Sequence, residues 1–315
     1  MSARNPLATW VDQYLAARRQ AGFALRIEGE QLKRFARFAE HIGHRGPVTV
    51  KLAVQWACSS RGGKLLTAAR RIEIVRPFAA YCQQFDAATE VPPRSLFGRA
   101  HRRLMPHIFM QGEILDLLAA CDQLHPPGGL RGATCAAIFG LIASTGLRIS
   151  EATALTRSDV DLQQCLLLVR CAKFGKSRWV PLHATTAAAL RRYVQRRDRD
   201  PAAAGTDAFF VFDDGRAAST RSVEYAFKLL RTALKWRARG DHPAPRLHDL
   251  RHSFVCRRLQ DWYARGQEVD RTILALSTYL GHAKVTDTYW YVTATPDLLA
   301  IAARRFAASC HGGAS

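Results

Sequence analysis

Leu280-Gly281-His282, followed by Thr286-Asp287-Thr288-Tyr289-Trp290-Tyr291-Val292, sets a histidine and a tyrosine nine residues apart near the C-terminal end of the chain. Upstream stand, in order, Arg148 in Thr145-Gly146-Leu147-Arg148, Lys173 in Ala172-Lys173-Phe174-Gly175-Lys176, and the pair in His248-Asp249-Leu250-Arg251. Two arginines, a lysine, two histidines and a tyrosine are the parts needed to cut a phosphodiester without a metal. Guanidinium forks can hold phosphate oxygens, a phenol can attack, and an amine or imidazole can move protons.

Each of these positions has a local logic. On a helix, His248 and Arg251 share a face and can converge on one anion, while Leu247, Leu250 and Phe254 form an apolar set. A chain with 11 histidines and arginine this frequent yields such a His-x-x-Arg pair by chance, so its context carries the weight. His252 lies off that face and reads as structural. Gly146 can release the chain from a very apolar helix and turn Arg148 inward; the alternative is an ordinary capping arginine at the helix C-terminus. Glu151 can orient Arg148 through an ion pair or simply favour the start of the next helix. Lys173 falls on a turn between two strands, where a flexible amine can reach a substrate, with Lys176 and Arg178 beside it to grip a DNA backbone. Tyr289 and Tyr291 would stand about 200° apart on a helix, so only one can face a given phosphate and the other should pack.

The chain has 315 residues, of which 48% are hydrophobic, enough for a sizeable core and two domains. Forty-six Lys and Arg against 26 Asp and Glu give a formal charge of +20. The excess is present in residues 1–100, with 16 basic and 7 acidic side chains, as well as in the remainder, with 30 and 19. A surface this positive makes nucleic acid the leading partner class over a membrane surface, for which no strongly amphipathic basic helix is evident. The N-terminus lacks a signal-peptide core, and the apolar run around Ala133 to Ala143 is too short to span a bilayer, so a cytoplasmic protein is expected. Eight cysteines without a Cys-x-x-Cys spacing read as buried free thiols. Acidic residues show no cluster of the kind that holds a divalent metal in nucleases, so no metal and no cofactor are expected.

Helical periodicity runs through 7–21, 27–42, 50–57 and 65–85, a small bundle whose basic faces include Arg70 and Arg71. The pattern breaks at Val91-Pro92-Pro93-Arg94 and Arg99-Ala100-His101-Arg102-Arg103, read as a basic linker over 91–107 with Arg102 and Arg103 as DNA-binding candidates. Beyond it, helices are expected at 113–124, 133–144, from a cap at Ser150, and at 184–197, 221–236, 247–263, 271–280 and 296–306. Strands are expected at 166–170, 178–182 and 209–212. The fold class is therefore mainly α with a small antiparallel β-sheet: a helical domain over 1–90, the linker, and a second domain over 108–315.

The ordered set Arg148, Lys173, His248 with Arg251, Leu280-Gly281-His282 and Tyr291 resembles the tyrosine recombinase, or phage integrase, family over most of the chain. The resemblance implies a helical core-binding domain and a catalytic domain that clamp DNA, with residues 172–182 as the β-hairpin whose first lysine, Lys173, is catalytic. Family spacing selects Tyr291 over Tyr289 as the nucleophile, with Arg148, His248, Arg251 and His282 completing the site and Glu151 in support. Thr293 stands where many members carry a noncatalytic histidine, and the run from Thr286 to Pro296 is most similar to integrases of transposons and other mobile elements. The implied activity is site-specific cutting and rejoining through a 3′-phosphotyrosine link and a Holliday junction, by a homotetramer on paired sites, alone or with sibling recombinases, and without ATP. In such an assembly the 296–306 helix would dock on a neighbouring copy. A type IB topoisomerase uses a similar residue set, and a noncatalytic DNA-binding protein could share the fold; the helical N-terminal domain and the occupied catalytic positions favour the recombinase.

Overall fold

The structure, a computed structural model, describes residues 6–60, 65–94, 96–98, 103–170, 177–267 and 269–294. Lys173, Lys176, Arg102 and the 296–306 segment lie outside the described residues. The chain forms two compact units that divide between Arg103 and Leu104.

The first unit contains four helices: α1 (Pro6–Gln20), α2 (Arg26–His41), α3 (Val50–Cys58) and α4 (Leu65–Gln83). Its logic is clearest in α2, where Leu32, Phe35, Ala36 and Ala39 recur at helical spacing and are buried, whereas Lys33, Arg34 and Arg37 are exposed. Phe35 meets the rings of Trp56 and Phe78 edge-on at 5.3 and 6.4 Å, joining α2, α3 and α4 in one core. The Thr49 side chain accepts from Leu52 N at 3.1 Å and so starts α3. Val91 and Phe97 pack on this same core, so much of the stretch read as linker is docked on the first unit.

The second unit claims the chain again at 104–107. Met105 N donates to the Asp241 carboxylate at 3.0 Å and Asp241 N donates to Met105 O at 2.9 Å, and the fully buried His107 ring lies edge-on to Phe109 at 4.5 Å. Then follow α5 (Gln111–Ala120), α6 (Leu130–Thr145), α7 (Ile149–Thr153), β1 (Val160–Asp161), β2 (Leu166–Val169), β3 (Arg178–Pro181), α8 (Ala184–Arg197), α9 (Thr220–Ala233), α10 (His248–Ala264), α11 (Val269–Leu280) and α12 (Thr286–Ala294). Helix α6 is apolar nearly all round because α5, α7, α8 and α10 pack against it. The three strands form an antiparallel sheet in the order β1-β2-β3, with Leu167 opposite Val180 in the core and Val169 opposite Arg178. Among the described residues no helix is long and apolar enough to cross a membrane.

Two expectations require correction. Residues 209–212 form no strand of the sheet: Phe209, Phe210 and Val211 plug the core, and within the run only Val211 makes an isolated bridge, to Ala217. The Thr134 hydroxyl donates to Val211 O at 2.6 Å and Val211 N donates to the Tyr193 hydroxyl at 3.2 Å, while Phe209 N, Phe210 O and Phe212 N pair with the backbone of Leu155, Ala218 and Arg216, so scattered partners replace a sheet ladder. The short helix after α6 is capped by Arg148 rather than Ser150, because Glu151 reaches back to accept from Arg148 N at 3.0 Å. Of the eight cysteines, Cys82, Cys121, Cys135 and Cys256 are buried free thiols; burial first, then the Asp86 carboxylate, pushes the Cys82 thiol up to about 12.

Candidate active site

Gly146 ends α6 in the left-handed region, φ 67°, and a Cβ there would stand 2.6 Å from the Phe254 ring. Only glycine combines that turn with that closeness, and the turn brings Arg148 to face the end of α11. There a second left-handed glycine, Gly281 at φ 64°, closes the helix, with His282 N donating to Ser277 O at 3.0 Å. The carbonyls at this terminus are the negative end of the helix dipole, and two guanidinium groups converge on them. Arg148 donates to Leu280 O at 3.4 Å and Gly281 O at 3.1 Å; Arg251, from the first turn of α10, donates to Leu280 O at 2.8 Å and to Gly146 O. Leu280 O thus joins the two arginines that the sequence separates by 103 positions.

Glu151 locks the frame from behind. Buried at 8% exposure, it accepts from Arg148 Nη1 at 2.8 Å and from both Arg178 Nη atoms at 3.1 and 3.0 Å. Burial pushes its carboxyl up, but hydrogen bonds from Arg178 and from Arg148 N, with both guanidinium charges, win and hold it at about 2. Arg178, expected to grip a DNA backbone, instead spends its fork on Glu151 and its Nε on Tyr279 O at 2.8 Å, tying β3 to α11.

The site carries more positive charge than Glu151 can offset. Arg251 is pushed down to about 10 by burial and by Arg148. Desolvation, then Arg251 and Arg148, lowers His282 to about 4, and desolvation followed by Arg251 and Arg246 moves His248 down as well, so both imidazoles are neutral near pH 7. His248 keeps an exposed surface, and His282 Nδ1 pairs with the buried Thr288 hydroxyl at 2.7 Å. An anion placed among these groups would relieve their mutual repulsion.

On α12 the two candidate tyrosines separate as the helix requires. Tyr289 is 41% exposed, while Tyr291 is 4% exposed and packs with Val255, Leu259, Leu276 and Leu280. The expectation that the spare tyrosine would be the packed one is reversed. The Tyr291 hydroxyl lies 2.7 Å from His252 Nδ1, on the residue that follows Arg251 in α10.

Residues 108–297 match the phage integrase family. The chain belongs to that family. As a tyrosine recombinase it is an enzyme of site-specific DNA recombination. It is 38% identical to the putative integrase/recombinase y4rE of Sinorhizobium fredii over 305 residues, covering 97% of this chain and 96% of that protein. With the tyrosine recombinase XerC of Chlamydia muridarum it shares 32% identity over 227 residues, 71% of this chain and 66% of the relative. Among solved structures, the Tn1549 transposon integrase in complex with a circular intermediate DNA matches at TM-score 0.67 and 17% identity, covering 95% of this chain and 99% of that one. The XerH site-specific recombinase bound to difH substrate matches at TM-score 0.65 and 18% identity, over 88% and 78% of the two chains. The tyrosine recombinase fold is common to them.

Within this recombinase the structure gathers Arg148, Glu151, Arg251 and His282 around one helix terminus, with His248 and Tyr291 alongside. Lys173, outside the described residues, is not placed. In the first unit Arg70 is exposed, whereas Arg71 donates to Trp56 O at 2.6 Å and lies over the Trp56 ring at 4.8 Å, so part of its fork serves the bundle. Sequence reasoning missed His252. It took the helix as having one inward face, yet α10 packs against α6, α11 and α12 at once, so a residue off one face is on another. The available signal was the four-residue spacing from His248 to His252, which puts both on one side of α10.

Proposed function

We propose that Tyr291 attacks a DNA phosphate in line, forming the Tyr291 Oη–P bond as the P–O5′ bond breaks, to leave a 3′-phosphotyrosine and a free 5′-hydroxyl. Arg148 and Arg251 hold the nonbridging oxygens and the charge that grows on them in the transition state. Each guanidinium carries five N–H donors, so bonds to carbonyls fix its plane while leaving donors for phosphate. His282 and His248, neutral near pH 7, add N–H donors, and Lys173 gives its proton to the leaving oxygen. Attack by the 5′-hydroxyl of another strand reverses the step, so the ester keeps the bond energy and ATP is not needed. Exchange between two duplexes takes four cuts, which fits four copies on paired DNA sites. Named relatives described as putative integrases support a role in moving a DNA element.

The observation that carries this reading is the convergence of Arg148 and Arg251 on Leu280 O, beside the inward-turned Tyr291. The test is a nicked duplex cut from the DNA that flanks the gene, which traps the enzyme after cleavage. The wild-type chain and Tyr289→Phe should form an adduct that survives SDS, while Tyr291→Phe should bind the duplex without forming one. An adduct from Tyr291→Phe, or its loss in Tyr289→Phe alone, would move the nucleophile elsewhere.

A further inference from the structure

We infer that His252 positions the nucleophile: its Nδ1 accepts a hydrogen bond from the Tyr291 hydroxyl and fixes the direction of the phenol before DNA arrives. The inference rests on the proposed role of Tyr291. The contact is 2.7 Å, the length of a well-formed hydrogen bond from a hydroxyl donor. Rings enclose the imidazole on several sides, with centroids at 4.7 Å to His248, 5.4 Å to Tyr291 and 6.0 Å to Trp290. His252 adjoins Arg251 in sequence, so a single turn of α10 bears the phosphate-holding fork and the partner of the attacking oxygen.

A phenol has one proton. Committing it to Nδ1 sets the hydroxyl torsion and leaves the oxygen lone pairs for phosphorus. Burial, then the charges of His248, Arg246, Arg251 and His242, lowers His252 to about 2, so the imidazole stays a neutral acceptor across the working pH range. The same value separates positioning from general-base chemistry. A phenol near pKa ~10 does not give its proton up to so weak a base, so His252 orients the hydroxyl and the proton passes to solvent water as the Oη–P bond forms.

Asparagine keeps an acceptor close to the place of Nδ1 without a titrating ring, whereas phenylalanine keeps the ring shape without an acceptor. On a nicked duplex chosen because the wild-type chain forms an adduct on it, His252→Phe should slow single-turnover adduct formation by about tenfold, the scale of one hydrogen bond, and retain duplex binding. His252→Asn should stay within about threefold of wild type with an unchanged pH–rate profile. In the DNA-free protein labelled with ¹⁵N-histidine, Tyr291→Phe should shift the His252 Nδ1 resonance. A wild-type rate in His252→Phe, a His252→Asn as slow as His252→Phe, or an Nδ1 resonance indifferent to Tyr291→Phe would each overturn the inference. An adduct from Tyr291→Phe would instead overturn the reading on which it rests.

Discussion

Glu151 makes none of the new bonds in the proposed reaction, yet it sets the plane of Arg148 and anchors Arg178. Removing one partner from a buried ionic group leaves the others uncompensated, so Glu151→Gln should lower unfolding free energy by about 3 kcal/mol, read from a urea titration. The same carboxylate makes the fold sensitive to acid. Its folded-state pKa, about 2, lies below its ordinary value of 4.5, so its contribution is complete above pH 4.5 and is lost as pH falls toward 2. His252 acts in the same direction from a higher pH: the unfolded chain takes up a proton near 6.5, which the folded chain refuses down to about 2. The urea midpoint should therefore hold steady from pH 8 to 7 and fall progressively below 6.5. A midpoint that rose on acidification would contradict both assignments.

At the scale of elements, the site is a meeting of helix ends. The C-termini of α6 and α11, each closed by a left-handed glycine, point carbonyls at arginines borne by the cap of α7 and the first turn of α10. Gly146→Ala would combine the strain of a positive φ with a methyl pressed into the Phe254 ring and the Leu280 side chain. Strain and overpacking together should cost about 2–4 kcal/mol, visible as a lowered thermal midpoint. Adduct formation by the folded fraction should also fall, because Gly146 O is one of the two carbonyls that hold Arg251. Full activity per folded molecule in Gly146→Ala would show that the carbonyl contact does not set the geometry of the fork.

For the molecule as a whole, the formal charge of +20 is shared between both units of the chain. Binding to random-sequence duplex should therefore release counterions and weaken steeply with salt. Fluorescence anisotropy should show affinity falling at least about tenfold between 50 and 200 mM salt. A flat salt response would mean that the basic surface does not track phosphates.

Periodicity located nearly every helix of both units because burying one face of a helix requires apolar residues three and four apart, a local property that the chain spells out. The ordered arginine, histidine and tyrosine motifs likewise pointed to phosphodiester chemistry, since charge and nucleophile are written in side-chain identity. Pairing was decided only by tertiary packing. That Arg148 and Arg251 share Leu280 O, that Arg178 turns inward to Glu151, that residues 209–212 plug a core, and that His252 meets Tyr291 all depend on helices distant in sequence closing on one another. A helix such as α10, packed on several sides, has no single inward face for periodicity to reveal, so its partners are fixed only when the neighbouring helices arrive.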